Sequence, residues 1–150
     1  MLFRSVAVAD MLNSGAFAAN LRRVRTLYRE ARDVLASTLS SASEGRLSVP
    51  VPSQGLHLVA RFDPSVDAQV AAHAKSAAGV EGWLLADTYA RARPLPGFVL
   101  GFAGHPLPQL KASAEKLAKA SLAAMRANRK KTGRSRKSAG SGNVMDRATR

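Results

Sequence analysis

Arg22, Arg25, Arg29 and Arg32 stand three, four and three residues apart, so on a helix they share one stripe. Four guanidinium groups on one stripe can grip an anionic ligand or partner. The plainer alternative is a solvated flank whose stems cover apolar surface, with Arg29 pairing to Asp33 one turn on. A second basic cluster lies near the end of the chain: Arg129, Lys130, Lys131, Arg134, Arg136 and Lys137 are candidates for contacts to nucleic-acid phosphates. No aromatic residue is interleaved with them, so base stacking is not indicated. The absence of cysteine excludes disulfide and thiolate chemistry. The three histidines are scattered and no carboxylates cluster with them, so no metal site is predicted.

The elements that must position these residues follow from apolar periodicity. Phe17, Leu21, Val24, Tyr28, Ala31, Leu35 and Leu39 predict a helix over 16–40 with the arginines beside its apolar face. Residues 3–13 read as the last turns of an earlier helix, ending at Asn13-Ser14-Gly15. Alternation predicts strands at 46–51 and 55–62, joined as a hairpin by Pro52-Ser53-Gln54-Gly55. In the second strand Leu56, Leu58, Ala60 and Phe62 share one face, and His57, Val59 and Arg61 the other. Asp63-Pro64-Ser65 opens a helix that runs to about Ala78 and stops at Gly79. Short strands are predicted at 80–85 and 97–103, the latter with Phe98, Leu100 and Phe102 on one side. The last helix, 107–126, turns Leu110, Ala114, Leu117 and Met125 inward. The fold class is α+β, a small antiparallel or mixed sheet backed by helices.

Charge divides the chain unevenly. Residues 126–150 hold nine Lys or Arg and one Asp, so they carry +8 of the net +13. The composition change at Asn128 gives two parts, a domain over 1–127 and a disordered basic tail over 128–150. No stretch approaches the ~20 apolar residues of a membrane span, and Asp10 interrupts the apolar start, so a signal peptide is not indicated and cytoplasm is the default.

Leu21-Arg22-Arg23-Val24-Arg25 with Tyr28, then Gly55-Leu56-His57, Gly79-Val80, Tyr89 and Leu100-Gly101-Phe102-Ala103 follow in an order and spacing that resemble a known family. It is the C-terminal small domain of the fold-type-I, pyridoxal-phosphate-dependent aminotransferases, in particular the aminotransferase-like half of the MocR branch of the GntR transcriptional regulators. The resemblance covers roughly residues 7–123 and implies a larger protein, with a large cofactor-binding domain, a DNA-reading head and a second subunit as partners. It implies that His57, Tyr89 and Arg91 line one wall of an effector pocket. The cofactor lysine of the family sits in the large domain. Lys75, Lys111, Lys116 and Lys119 lie on predicted helix surfaces without a phosphate-cradling loop, so no catalytic or cofactor-binding residue is assigned. Val99 stands where related enzymes often carry the arginine that grips a substrate carboxylate. The chain is therefore expected to be a fragment of such a regulator without independent catalysis. The alternatives are a small basic protein that binds nucleic acid through its tail, or a module serving a separately encoded large domain.

Overall fold

The computed structural model describes residues 8–10, 12–90 and 94–139. Helix α1 spans Ala16–Ala42, strand β1 His57–Arg61, helix α2 Ala68–Ala78, strand β2 Trp83–Leu84, strand β3 Gly97–Gly101 and helix α3 Leu107–Ala139. Residues 8–10 and 12–13 are also helical. A single turn of 3-10 helix, Leu85–Thr88, follows β2. The sheet is antiparallel with order β1-β3-β2, so β3 is central. The result is α+β, as expected.

The alternation in β3 decides which way the sheet faces. Phe98, Leu100 and Phe102 are buried, as are Leu58, Ala60 and Phe62 beside them. Phe62 meets Phe98 edge-on at 5.6 Å, an arrangement the ring quadrupoles favour. The helices close over this layer. Leu35, Ala36 and Leu39 come from α1, Val70, Ala71 and Ala74 from α2, and Leu110, Ala114 and Leu117 from α3. The alanines on α2 and α3 let those two helices pack closely. Gly97 lets strands β1 and β3 approach: a Cβ there would sit 2.5 Å from the Ala60 carbonyl oxygen.

Local chemistry sets the helix ends. After α1, Glu44 and Gly45 both adopt positive φ, 53° and 69°, and the Gly45 N–H donates to the Ser40 carbonyl at 3.1 Å. This turn sends Leu47 into the core, while the buried Ser43 hydroxyl accepts from the Leu47 N–H at 3.3 Å. Asp67 begins α2 by accepting from the Gln69 N–H at 2.8 Å, and Gly79 ends it in the left-handed conformation.

Four expectations need correction. Residues 46–51 are not a strand; they make one antiparallel bridge, Ser48 to Arg61, because Pro50 and Pro52 lack the N–H a ladder needs. The strand expected over 80–85 shrinks to Trp83–Leu84, since Gly82 has φ 138° and the 3-10 turn starts at Leu85. Asp63 forms a separate turn ahead of α2: its carboxylate accepts from the Ser65 hydroxyl at 2.6 Å and the Ser65 N–H at 2.9 Å. Those two bonds, the hydroxyl's first, hold the Asp63 carboxyl below its ordinary pKa. Finally, α3 does not stop near 127. It continues to Ala139, through residues expected to be disordered, because a helix already nucleated by packing propagates cheaply through Ala, Lys and Arg. Residues 140–150 lie outside the described residues.

The apolar stripe of α1 is covered along only part of its length. Ala31, Leu35 and Leu39 are buried, Leu21, Val24 and Tyr28 are half-buried, and Phe17 is exposed. Three substitutions test this packing in urea melts. Leu39→Ala removes a side chain with no exposure and should cost about 2–5 kcal/mol. Gly97→Ala must push β1 and β3 apart and should cost about 1–3 kcal/mol. Ser121 is buried, and its hydroxyl has no hydrogen-bond partner among the described residues; Ser121→Ala should therefore stabilise, by about 1 kcal/mol. Equal melts for all three would contradict the packing.

Candidate functional site

The face of the sheet turned away from the helices carries His57, Val59 and Arg61 from β1, Trp83 from β2, and only Gly97, Val99 and Gly101 from β3. The register puts Val59, Val99 and Trp83 in one row across the sheet. In the next row His57 lies opposite Gly101. Because Gly101 has no side chain, the His57 and Trp83 rings meet across the central strand, with centroids 5.5 Å apart and planes inclined by 33°. A Cβ on Gly101 would touch the His57 ring at 3.6 Å. Trp83 remains 59% exposed. The outcome is an open shelf of imidazole and indole beside Gly101, able to receive a flat or apolar group.

The other sequence candidates fall elsewhere. Tyr89 is half-buried after the 3-10 turn, where its N–H donates to the Ala86 carbonyl at 3.3 Å. No hydrogen bond or ring contact joins it to His57 among the described residues. Arg91 lies outside the described residues. Val99 is half-buried in the apolar row, so no guanidinium fork stands at that position. Arg129, Lys130 and Lys131 are exposed on α3, and Arg134, Arg136 and Lys137 fall within its helical backbone. Asp33 pairs with Arg32 at 2.8 Å rather than with Arg29, because Arg32 is also held by the Pro52 carbonyl at 2.9 Å.

Trp83 is the shelf residue that sequence reasoning passed over. It is the single tryptophan of the chain, and the sequence offered only a partial signal, a tryptophan beside Gly82 in a short predicted strand; that it lies across β3 from His57 follows from the register.

Three clefts open elsewhere on the surface. One of about 270 Å³ lies between Gly79–Glu81 and the start of α3, with His105, Gln109 and Ser113 on its rim. A second, of about 350 Å³, lies beside Arg46 and Arg61. The third, of about 550 Å³, separates α1 from residues 52–56. No lysine lines any of the three. Lys111, Lys116 and Lys119 are exposed on α3, and Lys75 is half-buried in the last turn of α2. Among the described residues no cluster of His, Asp and Glu is suited to a metal ion, and no helix is long and apolar enough to cross a membrane.

The arrangement of helices on one side of this sheet matches known folds. LysN, an α-aminoadipate aminotransferase from Thermus thermophilus, superposes with a TM-score of 0.67 at 19% identity, over 80% of this chain and 30% of that one. The kynurenine aminotransferase of Pyrococcus horikoshii gives a TM-score of 0.64 at 15% identity, over 75% of this chain and 28% of that one. The fold is thus that of an aminotransferase domain. No family model matches, but sequence comparison narrows the class. The chain is 32% identical over 103 residues to the probable rhizopine catabolism regulatory protein MocR of Rhizobium meliloti, which covers 69% of this chain and 21% of that protein. It is 24% identical over 112 residues to YhdI, an HTH-type transcriptional regulator of Bacillus subtilis (strain 168), covering 75% of this chain and 24% of that protein. By fold the chain is an aminotransferase-like domain, similar in sequence to part of MocR-type regulators, and it spans about a fifth to a quarter of the length of these relatives.

The shelf can be tested through its one tryptophan. Gly101→Val places a branched side chain between the two rings. It should shift Trp83 emission and alter its quenching by acrylamide, while stability changes by no more than about 1 kcal/mol. Unchanged emission would show that the rings do not meet across β3.

Proposed function

We propose that this domain supplies one wall of the effector pocket of a pyridoxal-phosphate-dependent MocR-type regulator, with His57 and Trp83 as that wall, and that it carries no catalysis of its own. The observation that carries the reading is the outward face of the sheet, where two aromatic rings meet across β3 beside Gly101. Tyr89, which follows the 3-10 turn after β2, is the further pocket residue this reading would add. The described residues do not fit the cofactor itself: the lysines of α2 and α3 stand on helix surfaces and none lines any of the three clefts. When bound in an intact regulator, the cofactor would supply aldimine exchange with an amino compound. This domain's part is to shape the space beside it, in a cytoplasmic protein completed by a large domain and a second subunit.

A domain swap tests the reading. The chain alone, mixed with pyridoxal phosphate, should give no stoichiometric aldimine absorbance. A chimera in which it replaces the matching 103 residues of the Rhizobium meliloti protein should bind the cofactor. In that chimera Trp83→Ala should weaken the spectral response to amino compounds without loss of the cofactor. An aldimine band in the isolated chain that vanishes with one lysine substitution would overturn it.

The helical continuation of α3 favours a second activity. Arg126, Arg129, Lys130 and Lys131 stand exposed on a rod that runs past the core, where they can follow a phosphate backbone without reading bases. Binding to duplex DNA should be sequence-blind and fall with salt with a log–log slope of about −0.9 per phosphate contact. Deleting 128–150 should abolish most of it in gel shifts; a truncated chain that binds equally well would refute this activity.

A further inference from the structure

The cleft between α1 and residues 52–56 has a chemistry that the outer sheet face does not share. Arg25, Arg29 and Arg32 all line it. Arg32 is spoken for: its guanidinium pairs with Asp33 and donates to the Pro52 carbonyl, and its side chain is only 19% exposed. That bond pins the loop to the helix and fixes the width of the cleft. Arg25 and Arg29 make no ion pair or hydrogen bond among the described residues. They stand four residues apart on one helix, a spacing at which like charges repel. Two unneutralised guanidinium groups in a concave, partly apolar setting focus a positive field into the cleft.

The remaining walls divide by polarity. Ser53, Gln54 and Gly55 give one rim hydrogen-bonding groups, whereas Tyr28, Leu56 and the buried Phe102 give the interior an apolar surface. The volume, about 550 Å³, lies within the range of about 300–1,000 Å³ usual for small-ligand sites. We infer that this cleft binds a small organic oxyanion, a carboxylate or phosphate group on a short apolar body. Arg25 and Arg29 take the charged head as charge-assisted hydrogen-bond donors, and Leu56 and Tyr28 cover the body. A solvated flank would behave differently, and the same helix supplies the comparison: Arg22 and Arg23 are exposed too but do not line the cleft. The site does not rest on the effector-pocket reading, which concerns the other side of the sheet.

Calorimetric titration of the full chain with four probes decides the matter. Phenylacetate and phenyl phosphate should each bind saturably at one per chain, the tighter of the two identifying the head group. Inorganic phosphate should bind more weakly, and benzyl alcohol, which lacks the charge, should not bind. Arg25→Gln and Arg29→Gln should each weaken the aromatic anions about ten-fold, the loss expected for one charge-assisted hydrogen bond. Both side chains are exposed, so both variants should melt like the parent. Arg22→Gln should bind as the parent does. Leu56→Asn should weaken the aromatic anions and leave inorganic phosphate unchanged. The site is refuted if neither aromatic anion saturates, or if Arg22→Gln loses as much affinity as Arg29→Gln, since the attraction would then be diffuse charge.

Discussion

At Gly97 the backbone of β3 comes so near the Ala60 carbonyl that even a methyl group would sit 2.5 Å from it. This close approach sets β3 tightly against β1, and the two sides of β3 then do different work. Its large residues, Phe98, Leu100 and Phe102, all turn inward and are buried by three helices. Its outward residues are Gly97, Val99 and Gly101, and of these only Gly101 is exposed. The same short strand thereby anchors the core and, at Gly101, leaves room for His57 of β1 and Trp83 of β2 to meet across it. A one-residue slip in register would exchange these faces and destroy both.

The position of the arginines follows from a second asymmetry, that of α1. Its C-terminal half is held by the sheet and by α3, so Ala31, Leu35 and Leu39 are buried. Its N-terminal half projects beyond the described core and exposes Phe17. Arg25 and Arg29 lie in that projecting half, beside Arg32, whose bond to the Pro52 carbonyl ties the helix to the chain entering β1. The fold accordingly places its two surface features, the aromatic shelf and the cleft beside Arg25 and Arg29, away from the residues that form the core.

Much of this was legible in the sequence because the pattern was strong where burial is strong. The stripe ending at Leu35 and Leu39, the alternation around Leu58 and Ala60, and the Phe98-Leu100-Phe102 face each report one buried surface, and each forms as expected. The resemblance to MocR-type proteins was legible in the order of short motifs. What failed did so where backbone detail overrides alternation. Leu47, Val49 and Val51 alternate like a strand, but the prolines at 50 and 52 withdraw the N–H donors. Val80–Leu85 is cut short because Gly82 takes a φ of 138°. The basic stretch after Asn128 lacks any apolar pattern, yet its first part is helical because α3 reaches it already formed. The shelf was half visible: His57 stood out by its side of the strand, whereas its meeting with Trp83 depended on Gly101, the cross-strand partner of His57, which only the pairing register reveals. For the same reason the pairing of Arg32 with Asp33 required knowing where Pro52 lies.

The central claim is that His57 and Trp83 touch across β3 on its outward face, where Gly101 leaves room for them. A nuclear Overhauser experiment on the full chain reads this contact directly, since the single tryptophan makes its indole protons simple to assign. Cross-peaks between the His57 ring protons and the Trp83 indole, together with backbone cross-peaks linking His57 to Gly101 and Val99 to Trp83, are the predicted result. Finding the Trp83 indole instead beside Phe98 or Leu100, on the helix side of the sheet, would contradict the account.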